Sequence, residues 1–97
     1  MQTQPAVRVD KWLWAVRLYK SRSLASEACD AGHVKIGGAR VKPSRRVRAG
    51  EVITALAGRV QRTMKVTGTP DQRVGARWVN QFLEDLTPPE AYAKARE

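Results

Sequence analysis

The chain has 97 residues, with 18 Lys or Arg against 9 Asp or Glu, a formal net charge of +9 and a sequence pI near 10.6. That length fits one domain with a single modest core and leaves little room for a large catalytic cleft. The one cysteine, Cys29, excludes an intramolecular disulfide framework and any site built from several thiolates.

No stretch approaches the roughly 18 to 20 apolar residues of a membrane span. The start Met1-Gln2-Thr3-Gln4-Pro5 has no charged segment leading into an apolar one, so a soluble cytoplasmic protein is expected. Net charge alone admits nucleic acid, an anionic membrane or an acidic protein as partner. The distribution is more informative. Residues 1–50 hold 11 Lys/Arg and 3 Asp/Glu, a net +8, whereas residues 51–97 hold 7 and 6, a net +1. The partner-binding surface is therefore expected in the N-terminal half.

In chain order, Asp10 is expected to cap a first helix, because its carboxylate can accept from the free amides that open a helix and sits at the positive end of the dipole. Lys11 to about Tyr19 would form it, with Leu13, Val16 and either Trp12 or Tyr19 toward the core and Val9 packed outside the cap. Trp12 and Trp14 lie two apart and cannot both face inward, so one packs and the other stays partly exposed. Ser21 or Ser23 caps a second helix through Asp30, with Leu24, Ala25, Ala28 and Cys29 on its apolar side and Gly32 as its left-handed stop.

The period then changes to two. Val34 and Ile36 alternate with His33 and Lys35, and Gly37-Gly38 supplies a hairpin turn before Ala39-Arg40-Val41. Lys42-Pro43-Ser44 interrupts pairing, since proline lacks the amide donor, so Lys42, Arg45, Arg46 and Arg48 fall on a loop and a short strand. Residues 51–56 and 60–66 form a second hairpin around Ala57-Gly58. Ala76, Val79, Phe82 or Leu83, and Leu86 suggest a C-terminal helix that also packs Trp78 and ends at Thr87-Pro88-Pro89. Glu90 to Glu97 is helix-capable but polar. The expected fold is α+β: two N-terminal helices on a small, mostly antiparallel sheet, with a short C-terminal helical tail.

Arg8-Val9-Asp10-Lys11-Trp12-Leu13, Ser21-Arg22, Ala25, Gly32-His33-Val34, Gly38, Lys42-Pro43-Ser44 and Gly50-Glu51-Val52-Ile53 fall in one order and spacing. Together they resemble the RNA-binding domain named after ribosomal protein S-four, over about residues 8–56. Trp12-Leu13-Trp14, Tyr19-Lys20, Leu83-Glu84-Asp85 and Pro88-Pro89 further resemble the bacterial fifteen-kilodalton heat-shock protein family, whose members are ribosome-associated and recognise large subunits carrying a blocked nascent chain. Two departures stand out: no long basic C-terminal extension, and Gly37-Gly38 where many relatives place Asn-Gly.

The resemblance implies a flexible N-terminus over 1–7, an RNA-binding domain over 8–67 and a helical extension over 68–97. It implies RNA contacts at Arg8, Lys11, Ser21, Arg22, Lys35, Lys42 and Ser44; charge alone adds Arg17, Lys20, Arg40, Arg45, Arg46 and Arg48. Arginine grips a phosphate with two parallel hydrogen bonds, lysine supplies a mobile charge, and serine hydroxyls and helix-opening amides add neutral donors.

Catalysis is not expected. His33 is the only histidine and suits a capping or surface role, Cys29 suits a core position, and no metal-ligand set or GxxxxGKS phosphate loop is present. The expected function is non-catalytic binding of structured RNA, most concretely ribosomal RNA of the large subunit, on stalled or dissociated ribosomes that retain peptidyl-tRNA. The protein is expected to be a monomer, without cofactor, metal or membrane, and with at most weak DNA binding. A duplex-DNA binder, a targeting subunit of an RNA-modifying system, and a protein-docking adaptor using Trp78, Phe82 and Tyr92 are the alternatives. Competition between duplex DNA and ribosomal RNA separates the first, and deletion of residues 71–97 the last.

Overall fold

The structure is a computed structural model that describes residues 6–96. Its elements are β1 (Val7–Arg8), α1 (Val9–Ala15), α2 (Arg22–Asp30), β2 (Val34–Ile36), β3 (Ala39–Arg40), β4 (Arg46–Val47), β5 (Val52–Ala57), β6 (Val60–Val66), a 3-10 segment (Ala76–Gln81), β7 (Leu83–Asp85) and α3 (Pro89–Ala95). Five strands form one antiparallel sheet in the order β3-β2-β5-β6-β7, and β1 pairs with β4 in a separate two-stranded ribbon. The α+β architecture of two N-terminal helices on an antiparallel sheet is as expected.

The core joins the inward faces of both layers. Trp12, Leu13, Ala25 and Cys29 of the helices pack with Val34, Ile53, Ala55, Met64 and Val66 of the sheet, all nearly or fully buried. Alternation along β5 does this work: Ile53 and Ala55 point inward while Val52 is exposed. Each large apolar side chain so buried contributes about 1.5 to 3 kcal/mol. Trp12 also donates its indole N–H to the Gly68 carbonyl at 2.8 Å, which ties α1 to the chain beyond β6.

Ser21 caps α2, its hydroxyl oxygen accepting from Leu24 N at 3.1 Å, and Gly32 ends that helix region with φ 81°. A Cβ at Gly32 would lie 2.8 Å from Arg40 Nε, so this glycine also makes room for the Arg40 side chain. The β2–β3 turn at Gly37-Gly38 has both glycines at positive φ, as a tight hairpin requires.

Several expectations are corrected. Asp10 does not cap α1: Arg8 occupies that position without a side-chain bond, and the amides of Val9 and Asp10 donate instead to the carbonyls of Arg45 (2.7 Å) and Pro43 (3.3 Å). Helix α1 stops at Ala15, because Arg17 turns left-handed (φ 67°) and Leu18 N donates back to Leu13 O at 3.0 Å. Val9 lies inside the helix and is buried, whereas Leu24 is 46% exposed, since the helix contact centres on Ala25, Ala28 and Cys29.

The expected helix from Ala76 to Leu86 is instead the 3-10 segment followed by β7, whose Leu83 pairs with Val66 and is buried in the core. Trp78 stays 47% exposed, and Pro88-Pro89 opens α3 rather than closing a helix, with Pro89 in its first turn where no amide partner is lost. Of the stretch 1–7 expected to be flexible, residues 1–5 lie outside the described residues, while Val7 is a buried strand residue opposite Val47.

Candidate nucleic-acid interface

The loop of residues 42–45 is fastened to the first turn of α1 by the two backbone bonds from Val9 and Asp10, and closed on itself by Arg45 N donating to Lys42 O at 3.0 Å. This freezes the start of α1, the start of α2 and the loop into one surface. Beneath it Asp10 is only 4% exposed. Arg8 grips that carboxylate with a two-pronged fork, Nε to Oδ1 at 3.2 Å and Nη2 to Oδ2 at 3.0 Å, and Arg22 Nη2 lies 3.5 Å from Oδ1. The Asp10 hydrogen bond and charge raise the Arg8 pKa above its ordinary value, so the guanidinium stays charged.

The two arginines remain 44% and 47% exposed at the side chain, so one buried anion aims two solvent-facing cations. Arg8, Lys11, Arg22 and Arg46 line a shallow cleft of about 340 Å³. Arg8 and Arg46 are direct antiparallel partners across the β1–β4 ribbon, an arrangement of like charges that opposes folding. Arg46 is held by donation to Ala6 O at 3.3 Å. The acidic presence at the rim is Asp71, 3.8 Å from Lys11 Nζ and 89% exposed at its side chain.

Not all the expected residues join this cleft. Lys42 and Ser44 are exposed on the adjoining loop, and Ser21 caps α2 while its hydroxyl hydrogen remains free to donate. Lys35 and Arg40 are cross-strand partners at the sheet edge, with Arg40 donating to Asp30 O at 3.2 Å. Arg45 pairs with Glu51 and donates to the Arg46 carbonyl, which braces the loop. Arg17 and Lys20 lie beyond the other end of α1, and Arg48 is exposed beside the Gly50 turn. The helix-opening amides of Val9 and Asp10 are occupied by the loop carbonyls and are not spare donors.

Two features escaped the sequence reading. Asp10 acts as the anchor of an arginine pair, a role only long-range packing reveals. Arg73, from the C-terminal half, donates to the carbonyls of Tyr19 and Lys20, both at 3.3 Å, and lies over Trp14 at 5.9 Å from the ring centroid. Cys29 and Tyr19 both hold their protons above the ordinary range. Burial first, then the charges of Asp10 and Asp30, pushes the Cys29 thiol up to about 11, and burial raises Tyr19, whose hydroxyl donates to Leu56 O, to about 12. Among the described residues no group of three or more His, Cys, Asp or Glu could hold a metal ion, and no helix is long and apolar enough to cross a membrane.

Comparison with known proteins gives the family. Residues 7–53 match the S4 domain model. The chain is 43% identical over 84 residues to a heat shock protein 15 homolog of Aeromonas salmonicida, covering 87% of this chain and 64% of that one, so it spans just under two thirds of that curated relative's length. It is 37% identical over 65 residues to a Bacillus subtilis protein named RQC P-site tRNA stabilizing factor, covering 67% of this chain and 76% of that one. The trimeric heat shock protein 15 of Vibrio cholerae superposes with a TM-score of 0.82 at 38% identity, over 95% of this chain and 91% of that one. At 38% identity over 91% of the Vibrio cholerae chain, and with the S4 domain matched over residues 7–53, the chain belongs to the heat shock protein 15 family of S4-domain proteins.

Proposed function

We propose that this chain binds structured RNA without catalysis, most concretely the ribosomal RNA of the large subunit, and assists stalled or dissociated ribosomes that retain peptidyl-tRNA. The observation that carries the reading is the cleft of Arg8, Lys11, Arg22 and Arg46, in which two cations are aimed by a buried carboxylate and two face each other across a strand pair. Like charges held together at a cost to folding are relieved when phosphates lie between them. The relative named as a factor stabilising P-site tRNA in ribosome quality control supports the choice of RNA and of setting.

In this reading residues 8–67 are the RNA-binding domain, with its core motif in 8–56, and residues 68–97 an extension docked on it. Arg8 and Arg22 form forked bonds to phosphate oxygens; Lys11, Arg46 and Lys42 add charge; Ser21 and Ser44 donate hydroxyl hydrogens. Lys35, Arg40 and Arg48 extend the positive field along the sheet edge and the neighbouring turn, and Arg17 and Lys20 extend it beyond α1. A rigid surface of this kind reads the shape of A-form RNA, whose base edges are hidden in a deep, narrow groove. The four cleft cations lie within residues 8–46 of one chain, and a monomer is the binding unit in this reading.

Sedimentation of the protein with free subunits, intact ribosomes and large subunits carrying peptidyl-tRNA tests this. Preference for the last is expected. Equal partition among all three contradicts the quality-control role.

A further inference from the structure

The segment that crosses the C-terminal end of α1 carries an indole and two arginines outside the cleft. Its backbone is fastened there: Val74 N donates to Ala15 O at 3.0 Å, and Arg73 binds the Tyr19 and Lys20 carbonyls. Arg17 meets it from the helix side, Nη1 donating to Val74 O at 3.3 Å. The φ of 67° at Arg17 is one that glycine adopts freely and arginine does not, yet an arginine stands there with its side chain exposed. On the next carbonyl, Gly75 O, Trp78 N closes the 3-10 turn at 2.9 Å.

Trp78 is 47% exposed, and the Arg77 guanidinium lies over it at 4.9 Å from the ring centroid. Around them Val79 and Phe82 pack on the core, while Ala76, Asn80 and Gln81 are exposed. Within residues 71–82 Trp78 is the one exposed large apolar side chain, and a cation lies over its ring. A docked protein calls for contiguous apolar area. A planar base with a phosphate beside it fits better, because aromatic rings and guanidinium planes stack on unpaired bases of any identity while cations hold the backbone.

We propose that the Arg77–Trp78 pair is a second RNA subsite that takes an unpaired nucleotide, with the base stacked on the ring and the phosphate on Arg77, in the segment that Arg17 and Arg73 fasten to the end of α1. This rests on the RNA-binding reading and extends it. Helical RNA lies on the cleft at the N-terminal end of α1, and a single-stranded continuation reaches the other end, about 10 Å away along seven helical residues.

The test compares an RNA stem bearing a short single-stranded overhang with the same stem made blunt, by anisotropy of labelled RNA. Wild type should bind the overhang form more tightly. Trp78→Ala should weaken that form roughly five- to hundredfold, the range of base–aromatic stacking, and leave the blunt stem unchanged, with Trp78→Tyr retaining most of the gain. Equal binding of the overhang by wild type and Trp78→Ala, or an equal loss on both RNAs, overturns the subsite alone. Failure of wild type to bind either RNA overturns the proposed function and the subsite together.

Discussion

The N-terminal cleft and the edge of the sheet at β6–β7 both carry arginines, yet the two regions use them oppositely. In the cleft one buried carboxylate, Asp10, positions Arg8 and Arg22 while leaving both nearly half exposed. At the sheet edge Asp85 takes Arg62 at 3.5 Å and the Tyr92 hydroxyl at 2.6 Å. Burial pushes the Asp85 pKa up, but the hydrogen bonds from Thr87 and Tyr92 and the Arg62 charge outweigh it and hold the group below its usual value. There the arginine serves to dock β7 and α3. What separates a binding surface from a packing contact is therefore the ratio of acids to cations and the exposure left over, not the number of arginines.

The largest effect expected of any single change lies beneath both regions. Leu13 is fully buried between the helices and the sheet, so Leu13→Ala should cost about 2 to 5 kcal/mol in chemical denaturation and blur the contrast altogether. Next come the cleft and the loop that adjoins it. Lys42→Glu and Arg22→Ala should each weaken RNA binding, the second by about tenfold for one lost charge-assisted contact, with the melting temperature nearly unchanged. Binding as tight as wild type in both variants would place the interface elsewhere.

A smaller, graded effect is expected in alkali. Burial keeps the proton on Cys29 up to about 11 and on Tyr19 up to about 12, above the values of 9.0 and 10.0 for the free side chains. Both folded pKa values are raised, so their contribution to stability is whole below about pH 9 and is lost as pH climbs toward 12. Denaturation midpoints across that range check it, as does slow alkylation of Cys29 in the native state. The smallest effect belongs to Arg62→Ala, which removes a partly exposed ion pair worth at most about 1 kcal/mol and should leave RNA affinity alone.

The same contrast explains what was legible in the sequence. Both helices, the two hairpins and the basic N-terminal half show in local signals: Ser21 as cap, Gly32 as stop, Gly37-Gly38 as turn, and alternation in β2 and β5. Strand β7 does not, because Leu83-Glu84-Asp85 has one apolar residue beside two acids and is specified by its partner β6. Asp10 near a helix start reads as a cap; only the distant loop carbonyls, which occupy the amides it would have served, turn it into an anchor. Arg17 in a left-handed conformation gives no sequence signal, since glycine is the residue expected there. Among the cations expected at the interface, Arg45 pairs with Glu51, six residues on, a contact that its own sequence neighbourhood does not signal.

The most direct test is the salt dependence of RNA binding by wild type, the Lys11→Ala/Arg46→Ala double variant, which leaves the Arg8 and Arg22 contacts to Asp10 in place, and Arg62→Ala. Each phosphate neutralised contributes about 0.7 to 0.9 to the slope of log K against log salt. The account predicts a steep slope for wild type and Arg62→Ala, and one shallower by roughly 1.4 to 1.8 for the double variant. A wild-type affinity indifferent to salt, or a slope that the double variant leaves unchanged, would contradict it.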